Sequence, residues 1–130
     1  MLLGRVIISL FSTFYFLPKK DKVKKIASKI KITVIKTIEP SIIFEGNVSI
    51  APSGKQYEKC LRYTKGDTYV VNDRTEIPEG FSSWAWRDIY KDTSVLAFGN
   101  FKNWMEDGKM ISCCTDGIRP VIFELRRIKE

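Results

Sequence analysis

The chain contains no histidine. That excludes a Cys–His or Ser–His nucleophile pair and every imidazole metal ligand. Cysteine is scarce: Cys60, Cys113 and Cys114 are the three present, and no C-x-x-C pair occurs among them. A disulfide framework or a thioredoxin-like redox motif is therefore absent. We find no glycine-rich phosphate loop, no internal repeat, no low-complexity run and no acid–base carboxylate motif. These absences argue against an enzyme.

Acids are missing from one region only. Residues 1–36 hold nine Lys and Arg against a single acid, Asp21, a local charge of +8. Residues 37–130 hold thirteen basic and fourteen acidic side chains, a charge of −1. The formal charge of +7 thus belongs to an N-terminal arm attached to a near-neutral body. Nucleic acid as a partner is disfavoured, because the basic arm has no interleaved aromatics for base stacking.

We read residues 1–28 as that arm and residues 29–130 as a single domain, the chain being too short for two cores. Val6 to Leu17 form a largely apolar run between Arg5 and Pro18. As a helix it would extend roughly 18 Å, short of the ~30 Å hydrocarbon thickness. Three readings stand: a start placed too far upstream, a weak anchor or interfacial helix, and an exported or buried segment. Five lysines between Lys19 and Lys25 would hold the body on the cytoplasmic side of an anchor. In "DKVKKIASKIK", Val23, Ile26, Ala27 and Ile30 recur at helical spacing among lysines. Residues 1–31 thus fit either weak association with an anionic membrane surface or, more simply, a solvated linker. We expect a cytoplasmic protein.

The body predicts an α+β fold: an antiparallel sheet, one main helix on its face, and a C-terminal hairpin adjoining the N-terminal strand. "KIKITVIK" alternates Ile30, Ile32 and Val34 with Lys31, Thr33 and Ile35, the period of a half-buried strand. Signals from Glu39 to Glu58 are weak, with extended pieces expected at 42–44 and 48–50. A turn at Lys65-Gly66-Asp67 precedes a strand from Thr68 to Val71. "SSWAWRDIYKDTSVLAFGN" is the main helix, capped by Ser82 or Ser83 and ended by Gly99 and Asn100. Its apolar face comprises Ala85, Trp86, Ile89, Tyr90, Thr93, Leu96 and Ala97. Arg87, Asp88, Lys91 and Asp92 lie mainly opposite. A turn at 106–109 leads into a strand from Lys109 to Cys114, and the turn at 115–117 into a last strand, Pro120 to Ile128.

Candidate site residues cluster around the cysteines. In a strand Cys113 and Cys114 point to opposite faces, so both reach one metal only if the backbone has turned. A zinc or iron–sulfur set of Cys60, Cys113 and Cys114 needs a fourth ligand. Arg119 across the short turn is a candidate cation to activate Cys113 or Cys114. The simpler reading packs the thiols as small apolar residues. Trp84 and Trp86 point about 200° apart on a helix. Trp86 is core, while Trp84, beside Arg87 and Asp88, rims a pocket or covers a strand edge. Asp116 and Arg119 flank Gly117 as turn residues or as a grip for a polar ligand.

"PEGFSSWAW" at 78–86 and "CCTDGIRPVIF" at 113–123 resemble the signature of a family of small prokaryotic proteins. The opening "KITV" strand, Cys60, and Gly66 to Tyr69 fit the same pattern, so the resemblance covers about residues 30–128 and leaves the arm outside. Where that pattern often carries a cysteine, this chain has Ser82, which removes one thiolate ligand. The resemblance implies no particular activity. Together these readings predict a non-catalytic binding module. Its site lies at Cys60, the start of the tryptophan helix and the "CCTDGIR" turn. A small thiol-dependent redox or metal protein using the same residues is the alternative. No motif names a cofactor, partner or oligomeric state.

Overall fold

The computed structural model describes residues 27–101 and 104–128; the arm readings at residues 1–26 lie outside them. The chain runs β1 (Ile30–Thr37), α1 (Pro40–Ile43), β2 (Thr68–Val71), α2 (Ser83–Phe98), β3 (Lys109–Cys113) and β4 (Val121–Arg127). The four strands form one antiparallel sheet in the order β2-β1-β4-β3, with α2 on one face, the expected α+β architecture. The C-terminal hairpin β3–β4 adjoins β1, as expected of this fold.

Alternation decides which face is buried. Ile30, Ile32 and Val34 of β1 and Val121, Phe123 and Leu125 of β4 all point under α2 and are buried. Their strand neighbours Lys31, Thr33, Ile122 and Glu124 stand on the opposite face, as the two-residue period requires. A register shift between Val34 and Lys36 leaves Ile35 without a β4 partner, and pairing resumes at Lys36 with Ile122 and Thr37 with Val121. Gly66 closes the turn into β2 at φ 95°, and its amide donates to the Val34 carbonyl.

Five aromatic rings join the sheet to the helix. Tyr63 meets Phe123 edge-on at 5.3 Å, Phe81 lies 5.4 Å from Phe123 and 5.0 Å from Tyr69, and Trp86 stands 6.4 Å from Phe81. Aromatic pairs of this kind, three of them edge-to-face, each add about 0.5–1.5 kcal/mol beyond the area they bury. This cluster anchors the irregular chain before α2 to the sheet.

Some local expectations need correction. Residues 42–44 are not extended: Pro40 opens a single helical turn, closed by the Phe44 amide on the Pro40 carbonyl. Only Ile50 of the second expected piece pairs, bridging Gln56. On α2, Asp92 turns inward rather than outward, and the Ser112 hydroxyl donates to its carboxylate at 2.6 Å. Tyr90, expected in the core, is exposed, with its hydroxyl accepting a hydrogen bond from Arg74. Both changes follow from the helix packing over β3 as well as β4, which rotates its buried stripe toward Asp92.

No helix among the described residues is long and apolar enough to cross a membrane. Ala27 packs on the core and the Ser28 amide donates to the Ala97 carbonyl.

Candidate functional site

An open concavity of about 780 Å³ lies where the irregular segment 51–63, the start of α2 and the turn after β3 meet. That volume falls in the range of ligand sites, roughly 300–1,000 Å³. Its deep side is formed by Tyr63, Ala85, Cys114 and Val121, all buried in the main core. Its rim carries the exposed side chains of Leu61 and Trp84, 76% and 58% accessible.

The helix start is held by two hydroxyls. Ser82 has extended backbone and its side chain accepts from the Ala85 amide at 3.5 Å, while the Ser82 amide donates to the Tyr63 hydroxyl at 2.9 Å. The Tyr63 pKa is raised, chiefly by burial, so the phenol stays protonated at neutral pH. Position 82 therefore serves as the N-cap.

The far wall is the turn at 116–119. One Asp116 carboxylate oxygen accepts from the Ile118 and Arg119 amides, and the other from Arg119 Nε at 3.0 Å. Partial burial would raise the Asp116 pKa, but these hydrogen bonds outweigh it and hold the carboxyl below its ordinary value. The turn reading of this pair is thus realised, and both side chains also line the concavity.

Five of the eight candidate residues meet here: Cys60, Trp84, Cys114, Asp116 and Arg119. Three do not line it. Arg87 lies over the Trp84 ring, its guanidinium 4.6 Å from the centroid. Asp88 accepts from the Thr115 amide and hydroxyl at 2.8 and 3.0 Å, tying α2 to the end of β3. Cys113 pairs with Ile122 on the sheet face opposite Phe123 and is exposed.

The adjacent cysteines are therefore separated by the strand's alternation. Cys114 is buried, and its sulfur accepts the Val121 amide at 3.2 Å. The metal set Cys60, Cys113 and Cys114 is not brought together. Among the described residues no group of three His, Cys, Asp or Glu side chains could hold a metal ion. Nor does Arg119 activate Cys113: partial burial, then Cys114 and the carboxylates of Asp88 and Asp92, push the Cys113 thiol up.

Sequence reasoning missed the wall nearest Cys60. Lys55, Tyr57, Lys59, Leu61 and Arg62 all line the concavity. The run "KQYEKCLRY", which interleaves cations with aromatics, was the available signal.

No family model, curated protein or solved structure matches the chain. Its geometry and its residues are what speak for the site.

Proposed function

We propose that this domain is a non-catalytic binding module whose ligand occupies the concavity between segment 51–63, the start of α2 and the 116–119 turn. One observation carries the reading. Apolar Leu61 and Trp84 stand exposed on the rim of a ligand-sized hollow whose deep side is the buried core. The two stretches that resemble the small prokaryotic family, 78–86 and 113–123, supply two of its three walls, and we take family membership as part of the proposal.

The thiol-dependent alternative has less chemistry to draw on. Cys113 is pushed up and faces away, Cys114 is buried against Val121, and Arg119, the cation near Cys60, is engaged by Asp116. A thiolate nucleophile needs a nearby uncommitted cation or a general base.

The test is a fragment screen on the full chain followed by amide NMR. Hits should shift the amides of Cys60, Leu61, Trp84 and Cys114 together. Hits that map only elsewhere overturn the binding reading.

A further inference from the structure

Every backbone polar group in a folded chain needs a partner in protein or water. From Glu58 to Arg62 no N–H or C=O bonds any group among the described residues. These five residues belong to no helix or strand, yet they form one wall of the concavity. The amide of Tyr57 before them and that of Thr64 after them are both bonded, to the Ser49 carbonyl and the Asp67 carboxylate. Glu58, Lys59, Leu61 and Arg62 are exposed, so their main-chain groups are open to solvent or to a ligand.

Charge is equally local. Lys55, Lys59, Arg62 and Arg119 line the hollow against two acids, Glu58 and Asp116. Residues 37–130 as a whole carry −1, so this positive lining stands out from its own domain. Asp116 engages Arg119, and Lys59 lies 3.7 Å from Glu39, which leaves Lys55 and Arg62 as the most available cations. An occupant matching these features has its own row of backbone donors and acceptors, carries acids, and offers an apolar side chain to Leu61 and Trp84.

We infer that the concavity takes a peptide segment bearing acidic side chains, paired through its main chain with Glu58 to Arg62. This rests on the binding reading above. Main-chain hydrogen bonds supply affinity, and the flanking cations select acids over bases.

The experiment presents the full chain with two pools of randomised, end-capped seven-residue peptides, one enriched in Asp and Glu, the other in Lys and Arg. The acidic pool should be enriched and its binding should weaken as salt rises. Lys55→Glu with Arg62→Glu should weaken binding by roughly tenfold or more, the effect of losing a charge-assisted hydrogen bond. Bound peptide should also protect the amides of 58–62 from hydrogen exchange. Equal recovery of both pools, or bound peptide with those amides still exchanging freely, overturns the peptide inference. Failure of the peptides while inorganic phosphate or small fragments shift Cys60 and Trp84 overturns it but leaves the binding reading standing. Silence of the concavity to every probe removes both.

Discussion

Helix α2 ends in two different ways, and the difference separates the scaffold from the working surface. At its C-terminal end Arg127, at the end of β4, donates to the Leu96 carbonyl through Nε at 3.1 Å and through one terminal nitrogen at 2.9 Å. The same guanidinium bonds the Gly99 carbonyl and the Asn100 side chain, and lies 3.5 Å from the Asp107 carboxylate. Carbonyls orphaned by the helix end are thus satisfied by a cation placed where the helix dipole favours one. Gly108, at φ 73° in the region that favours glycine, accepts the Arg127 amide on its carbonyl at 2.8 Å and so fixes the strand beside the helix end. At the N-terminal end the holding is lighter: one long Ser82 cap and one tyrosine hydroxyl, beside an open hollow. One end is bonded on several sides, and the other is left accessible. Binding surfaces come from the less constrained parts of a fold.

The largest expected effect lies at the bonded end. Arg127→Ala should cost about 2–3 kcal/mol, the scale of charge-assisted hydrogen bonds lost together. Thermal unfolding measures it, and hydrogen exchange should quicken at 95–100 while 82–86 stays unchanged. Arg127→Lys should recover little, because an ammonium cannot reproduce the planar fork. A loss no larger than that of a surface substitution would break the contrast between the ends.

At the lighter end, Tyr63→Phe should cost about 1 kcal/mol for one part-buried hydrogen bond. Ser82→Ala should cost less, about 0.5 kcal/mol, since the cap bond is already long. Exchange should now quicken at 82–86 and leave 95–100 alone. Because both changes remove bonds to Ser82, the double variant should fall short of the sum.

A smaller effect is expected from acid. The folded-state pKa of Asp116 is depressed, so its contribution is complete above the unfolded-state value and drains away as pH falls through the folded one. Glu124 has the same sign, held down first by the hydrogen bond from Arg126. Denaturant midpoints of wild type and Asp116→Asn should therefore differ at neutral pH and converge in acid. A gap that persists at low pH would show that the turn needs the carboxylate's shape rather than its charge.

The smallest change concerns labelling alone. Cys113 is exposed yet pushed up, so iodoacetamide should label it slowly near neutral pH, while Cys114 reacts only on unfolding. Asp88→Asn should speed Cys113 labelling modestly by removing one of the charges that disfavour its thiolate. Rapid labelling of wild-type Cys113 at neutral pH would reopen the thiol alternative.

Periodic stretches were legible in the sequence. The alternation in β1 and β4 is local, each residue facing opposite its neighbour, so the buried face follows from reading along the chain. By the same rule, adjacency alone puts Cys113 and Cys114 on opposite faces. Ser82, Gly99 and the turn at 65–67 were readable because caps and turns use short-range chemistry. Asp92 was not, since a carboxylate reads as solvent-facing until Ser112, twenty residues away, stands beside it. Segment 55–62 offered only its interleaved cations and aromatics: it has no period, and its wall exists only opposite α2 and the 116–119 turn.

By itself, then, the sequence determined the strand faces, the helix and its caps, the split of charge between arm and body, and the exclusion of histidine chemistry. Each depends on composition or on residues within about one turn or strand of one another. The tertiary structure alone decided that Arg127 would hold the far end of α2, that Asp92 would turn inward, and that Cys60, Trp84 and Arg119 would share one hollow. Those outcomes depend on how the helix is rotated and seated on the sheet. That seating is fixed by packing among Tyr63, Phe81, Trp86 and Phe123, whose contacts span the chain and leave no local periodicity to read.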